Sequence, residues 1–456
     1  MDTQSQPDSS TVRAVDRTDL PLPPEALSPG PPLRARMVAF GARTALALAL
    51  VASLIFTSDG LNLNPAQRAA SPHLYSLVQW EAANFLDKWL HRVSSVLPWN
   101  SISPSERDEM ISDYFALSAA RAEIEERLEN AVPRGATTSE IAVLEAQLAA
   151  LDRSRERMRA DVEEALEAAI SSVLIEAGLS SVGGLIFPPV DFRLTQTPHV
   201  LVTSPRDRIE RGDEALIRPG ITISDSLAIE RELLDQRNLS ALVIRIGGLA
   251  SYPASVFGGG QLRWTLQIAA HEWLHHHLFF RPLGFAMMTS AEMRTINETV
   301  ANVAGREIGD LAFASLGGDI PGLEHSALLD PAGSDPHFVD AEGAGGFDFR
   351  AEMHATRLHV DELLAEGRVG AAEAYMDRRR LQFVDNGYNI RKLNQAYFAF
   401  HGTYADSAAS VSPIGDQVQE YRNLSPDLGS FISGMSSFYT YEDFLADLEE
   451  LRAAAR

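Results

Sequence analysis

Two histidines and a glutamate stand in the order H-E-x-x-H, as His271-Glu272-Trp273-Leu274-His275, directly behind the uncharged residues Leu266, Ile268, Ala269 and Ala270. On a helix, residues i and i+4 share one face about 6 Å apart, so His271 and His275 can both offer a ring nitrogen to one metal ion. Glu272 lies roughly 100° around the helix, within reach of a metal-activated water without being forced to ligate. Two ligands and one general base are what zinc-assisted hydrolysis needs. Unpaired His and Glu are costly to bury, so polar residues in so apolar a stretch point to a site. His276 and His277 lie roughly 100° and 200° off that face and are expected to be solvent or groove residues rather than ligands.

A catalytic zinc site takes a third protein ligand and keeps one position open. The chain has no cysteine, so any metal must be held by His and carboxylate. Downstream, Thr295-Ile296-Asn297-Glu298-Thr299-Val300-Ala301-Asn302-Val303-Ala304 reads as a second helix. The intervening residues can finish the first helix, turn at Pro282 and Gly284, and return antiparallel, bringing Glu298 beside the histidines. Glu292 and Glu307 are alternative carboxylates, but Glu292 has less reach around the turn and Glu307 lies about two and a half turns beyond Glu298.

HEWLH followed by Asn297-Glu298-x-x-Ala301 resembles the gluzincin metallopeptidases, whose third zinc ligand is the Glu of an N-E-x-x-[AS] helix. The resemblance covers residues 266–305 and implies a zincin-like core with Zn2+ on His271, His275 and Glu298, and Glu272 as general base. Position 278 is Leu and position 281 is Arg, so the metzincin extension is missing. In thermolysin-like members an Asp four residues after the ligand Glu orients a metal-bound histidine, whereas here that position is Asn302. Further on, Leu393-Asn394-Gln395-Ala396 and Tyr404 are similar to an L-N-N-A…Y helix of bacterial predicted aminopeptidases, with Gln395 as the departure. Peptide hydrolysis also needs a donor for the oxyanion. Tyr404, His401 and Tyr397 are the candidates, and packing of their helix against the core is the competing role for each.

The elements around this site read as an α+β chain that is mostly helical, with a small mixed sheet. Residues 103–180 form a helical hairpin: Ser103, Pro104 and Glu106 start the first helix, Pro133 and Gly135 break it, and Thr137 with Glu140 starts the second. That hairpin either binds a protein partner as a coiled coil or packs on the catalytic core. Short β-branched segments at 191–194, 198–203, 209–217 and 241–247, with a helix near 226–236, make the sheet of a core spanning 181–310. Gly258-Gly259-Gly260 makes a loop or a close approach to a ligand. A Gly-, Pro- and Asp-rich stretch, 311–349, reads as a flexible loop or flap, and 350–456 as a C-terminal helical subdomain.

With 39 basic and 62 acidic residues the formal charge is −23, which argues against nucleic acid as a partner. Residues 1–36 have the composition of a disordered tail. The apolar run 37–57 has the length of a membrane span, with Arg34 and Arg36 on its N-terminal side. The expectation is therefore a single-pass cell-membrane protein with a cytoplasmic N-terminus, a juxtamembrane segment at 58–102 and an extracytoplasmic catalytic domain acting on a peptide or protein substrate. The alternative is a non-catalytic envelope scaffold whose metal is structural.

Overall fold

The computed structural model describes residues 63–84, 88, 103–131, 137–180, 185–319 and 347–456. The expected tail at 1–36 and the apolar run at 37–57 lie outside these residues, as does most of the expected flap. Among the described residues no helix is long and apolar enough to cross a membrane. The two longest, of 28 and 39 residues, carry charged side chains along their whole length. This overturns the expectation of a single-pass protein of the cell membrane.

Residues 63–456 form one compact unit. It is α+β and mostly helical, with two small three-stranded sheets among the described residues. Helix α1 (Pro65–Ala69) begins with a capping box in which Asn64 and Gln67 satisfy each other's backbone N–H. Helices α2 (Pro104–Ala131) and α3 (Thr138–Glu176) form the expected hairpin. Glu106 accepts from the Ser103 backbone at 2.9 Å, and Glu140 from that of Thr137 at 2.7 Å, so both start signals act as caps. Arg121 reaches Asp152 at 2.8 Å, and Arg155 reaches the Tyr114 hydroxyl at 3.1 Å, across the pair. The far half of α3 does not stand free: Leu166, Ile170, Val173 and Leu174 are buried in the main core.

The expected juxtamembrane segment reaches into the root of this hairpin. Lys88 is buried, with its Nζ 3.0 Å from Glu163, 2.7 Å from Glu167 and 2.6 Å from the Phe192 carbonyl. A lysine this deep is tolerable only because carboxylates and a carbonyl replace its lost water.

The first sheet joins β2 (His199–Pro205), β3 (Glu214–Ile217) and β4 (Leu239–Arg245) in the antiparallel order β3-β2-β4, with His199 opposite Ile217 and Arg245. Helix α4 (Ile223–Arg237) covers one face, packing Ile229 and Leu233 with α1 against Leu201, Ile217 and Val243. The second sheet is mixed. Strand β1 (Phe192–Thr195) runs parallel to β6 (Ala254–Phe257), and the two-residue β5 (Gly248–Leu249) lies antiparallel on the other side of β6 as an edge.

Helix α5 (Leu262–Phe279) carries the H-E-x-x-H residues. The short α6 (Pro282–Ala286) turns the chain, and α7 (Ala291–Ser315) returns past α5. Two glycines one turn apart let these helices touch backbone to backbone. A Cβ on Gly309 would lie 2.5 Å from Gln267 Cα, and one on Gly305 3.0 Å from His271 Cα. Arg263 and Gln267 both bind Asp310, each with a contact of 2.7 Å, and clamp the other end. Helices α8 (Phe349–Ala365), α9 (Val369–Asp385) and α10 (Gln395–His401) build a second core with Leu242. Helices α11 (Ile414–Leu424), α12 (Leu428–Ser436) and α13 (Tyr441–Ala454) close the main core against α7.

Candidate metal centre

His271, Glu272 and His275 are side by side on α5 because the helix is buried at almost every turn around them. Trp273 and Leu274, between the histidines, are fully covered, and the Trp273 indole donates to the Pro188 carbonyl at 2.8 Å. The antiparallel return of α7 sets Glu298 opposite. Nε2 of His275 lies 3.0 Å from Nε2 of His271, and Glu298 Oε2 lies 3.5 Å from the former and 3.8 Å from the latter. Four ligand atoms placed tetrahedrally at zinc distances are about 3.3 Å apart. The three separations straddle that value.

The far side of each imidazole is also held. His275 Nδ1 is 3.0 Å from the Asn297 Oδ1, and Asn297 is itself buried. The Asn302 side chain reaches the His271 ring. The Asn297 oxygen on the Nδ1 side of His275 orients that ring and leaves its Nε2 facing His271 and Glu298. Where thermolysin-like enzymes would have a carboxylate, Asn302 passes the contact on: its Nδ2 donates to Asp406 Oδ1 at 3.1 Å.

No family model, curated protein or solved structure matches the chain. The site must be read from its own chemistry.

The three groups are coupled electrostatically. Burial, reinforced by the neighbouring His275, pushes His271 down to about 3. Burial also works against charge on His275, but Glu298, Glu272 and Asn297 outweigh it and hold its pKa up at about 9. Glu298 would be raised by burial, yet His275, His271 and Arg211 keep it down at about 2. The charges of His275, Glu298 and Arg211 are thus coupled at the point where the three ligand atoms converge. The donor set of two imidazoles and one carboxylate matches catalytic zinc.

Glu272 lies off this triad, buried, and burial followed by the charge of Glu298 raises it to about 8. It packs on the edge strand: a Cβ on Gly248 would sit 2.2 Å from its Oε1. A glycine in a strand permits such close backbone approach. His276 holds the turn after β5, with its Nε2 2.8 Å from the Ser251 carbonyl, and His277 is buried against Trp273 with ring centres 5.1 Å apart. Neither belongs to the group that converges on one point, as expected, but His277 is a core residue rather than a solvent or groove one. Glu307 is engaged by Arg422 at 2.7 Å, and Glu292 is an exposed residue in the first turn of α7.

Of the C-terminal candidates, Tyr404 faces the site, its ring centre 6.4 Å from that of His271. Burial first, and then Glu298, raise its pKa well above the ordinary phenol value, so it remains a proton donor. His401 is buried in the core, 4.3 Å from the Tyr397 ring. Asn394 caps α10 by accepting from Tyr397 N at 2.9 Å, and donates to the Ala241 carbonyl at 3.0 Å. The stretch around Asn394 therefore anchors the helix that leads to Tyr404. Arg211, from the β2–β3 connection, escaped sequence reasoning. It pairs with Glu214, donates to Thr403 Oγ1 at 3.3 Å and lies over the Phe400 ring at 5.3 Å. Nothing in its local sequence marks it.

Proposed function

We propose that the chain is a zinc-dependent metallopeptidase of the gluzincin type, with His271, His275 and Glu298 as ligands. The observation that carries this reading is the convergence of their three ligand atoms within 4.8 Å of one another. Zinc held there would supply Lewis acidity toward a carbonyl and lower the pKa of a water. Glu272 takes the proton from the attacking water and returns it to the leaving amine. Its burial favours a proton-accepting group whose pKa lies near neutrality rather than in the usual carboxylate range. The Tyr404 hydroxyl donates to the developing oxyanion, and Gly248 keeps the edge strand close to Glu272.

The test is purified Glu272→Gln protein, with metal content measured alongside hydrolysis of a mixed peptide library. The expected result is about one zinc per chain, as in the parent, with hydrolysis abolished. Unchanged hydrolysis would falsify the mechanism. A parent that binds zinc, cleaves no peptide and unfolds on His271→Ala substitution would instead assign the metal a structural role.

A further inference from the structure

We propose that Asp406 is a positioning residue for the metal site, acting on His271 through Asn302. The proposal rests on reading His271, His275 and Glu298 as zinc ligands. Its basis is the packing of the α7 turn around Asn302 on His271 and the polar contacts that tie this turn to the segment after α10. A Cβ on Gly305 would lie 3.0 Å from His271 Cα, the Asn302 side chain reaches the His271 ring, Asn302 Nδ2 donates to Asp406 Oδ1 at 3.1 Å, and Arg306 Nη2 donates to Asp406 Oδ2 at 2.6 Å.

The segment is held by contacts to α5, α7 and α8. Tyr404 faces His271, the Ala405 N–H donates to Thr299 Oγ1 at 3.1 Å, and Arg350 donates to the Asp406 carbonyl at 3.2 Å. The Asp406 side chain is 11% exposed, so its charge acts in a partly dry environment.

A neutral amide beside a ligand histidine fixes the ring but lends it little charge. With its N–H groups turned to Asp406, Asn302 is polarised so that its oxygen becomes a stronger acceptor for the imidazole N–H. The carboxylate is thus present one residue farther out, on a different element. The competing role for Asp406 is simply to pair with Arg306 and glue the segment to α7.

An exchange of side chains separates the two roles. Zinc affinity is measured by competition with a chromogenic chelator on the full chain, with the melting temperature of each metal-free protein recorded beside it. Asp406→Asn is expected to weaken zinc binding about tenfold, as loss of an outer-shell partner typically does. Combining Asn302→Asp with Asp406→Asn puts the carboxylate directly on His271 and is expected to return affinity to within about threefold of the parent. A folded Asp406→Asn protein that binds zinc as tightly as the parent overturns the proposal. So does a double variant that binds no better than Asp406→Asn alone, which would mark Asp406 as glue. A parent that takes up no zinc overturns the metal centre itself, and the proposal with it.

Discussion

At the scale of single residues, the site is a group of mutually coupled side chains, with Glu298 held ionised by His275, His271 and Arg211 and His275 Nδ1 set against the Asn297 oxygen. Tyr404 differs in kind, because burial and the nearby carboxylate keep its proton on. Tyr404→Phe is therefore expected to lower kcat about a hundredfold or more while zinc content stays that of the parent, since one oxyanion donor is worth that much. Steady-state kinetics with metal analysis checks this, and an unchanged kcat would remove Tyr404 from the reaction. The convergence of His271 and His275 was legible in the sequence because their i, i+4 spacing is a local property of one helix. Arg211, Asp406 and the contact of Gly248 with Glu272 depend on the chain's return from far away.

At the scale of elements, the α5–α7 contact decides whether Glu298 comes within reach of His271 and His275. Glu298 is brought in by a helix pair that approaches backbone to backbone at Gly305 and Gly309. Gly309→Ala gains about 1 kcal/mol of helix propensity. It also forces a methyl group to within 2.5 Å of Gln267 backbone atoms. Overpacking of this kind costs about 1–3 kcal/mol. The expected outcome in urea unfolding is net destabilisation, with weaker zinc binding because Glu298 moves with α7. A variant more stable than the parent would show that the helices can part without loss. The hairpin shows the limit of periodicity. Its apolar stripe predicted both helices and their antiparallel pairing, and packing on the core was one of the two roles it allowed; Leu166, Ile170 and Leu174 serve the main core, while Arg121 and Arg155 link the pair by contacts that periodicity does not show.

At the scale of the whole molecule, residues 63–456 fold as one unit with buried charge at its joints. Lys88 ties the N-terminal part to α3 and β1. Glu230, also buried, takes Lys392 at 3.0 Å and holds the approach to α10. The sheet contributes a pH dependence. His199 on β2 is pushed down to about 4, chiefly by burial and then by Arg245 on β4 and Arg391 ahead of α10. Between about pH 6.5 and pH 4 the unfolded chain binds a proton there that the folded chain does not. Stability is therefore fully present above the unfolded pKa and lost as pH falls, by up to roughly 3 kcal/mol. Urea unfolding at pH 7.5 and 4.5 should show a smaller acid loss for His199→Phe than for the parent; equal losses would exclude His199 as a source.

The sequence by itself determined the hairpin helices with their caps, the helices that carry the H-E-x-x-H and N-E-x-x-A residues, the strand segments near 198–203 and 241–247 and the residues that could ligate, but not α1, α11 and α12 or the division of the strands into two sheets. The former follow from spacing of three, four or two residues and from side chains that cap their own neighbours. It misled on the membrane, because an apolar run has the same composition whatever surrounds it, and the described helices are too charged to span a bilayer. Tertiary structure alone decided that Tyr404 rather than His401 faces His271, and that Asp406 backs Asn302. Both depend on how one segment after α10 lies across α7, a long-range contact that no local pattern encodes.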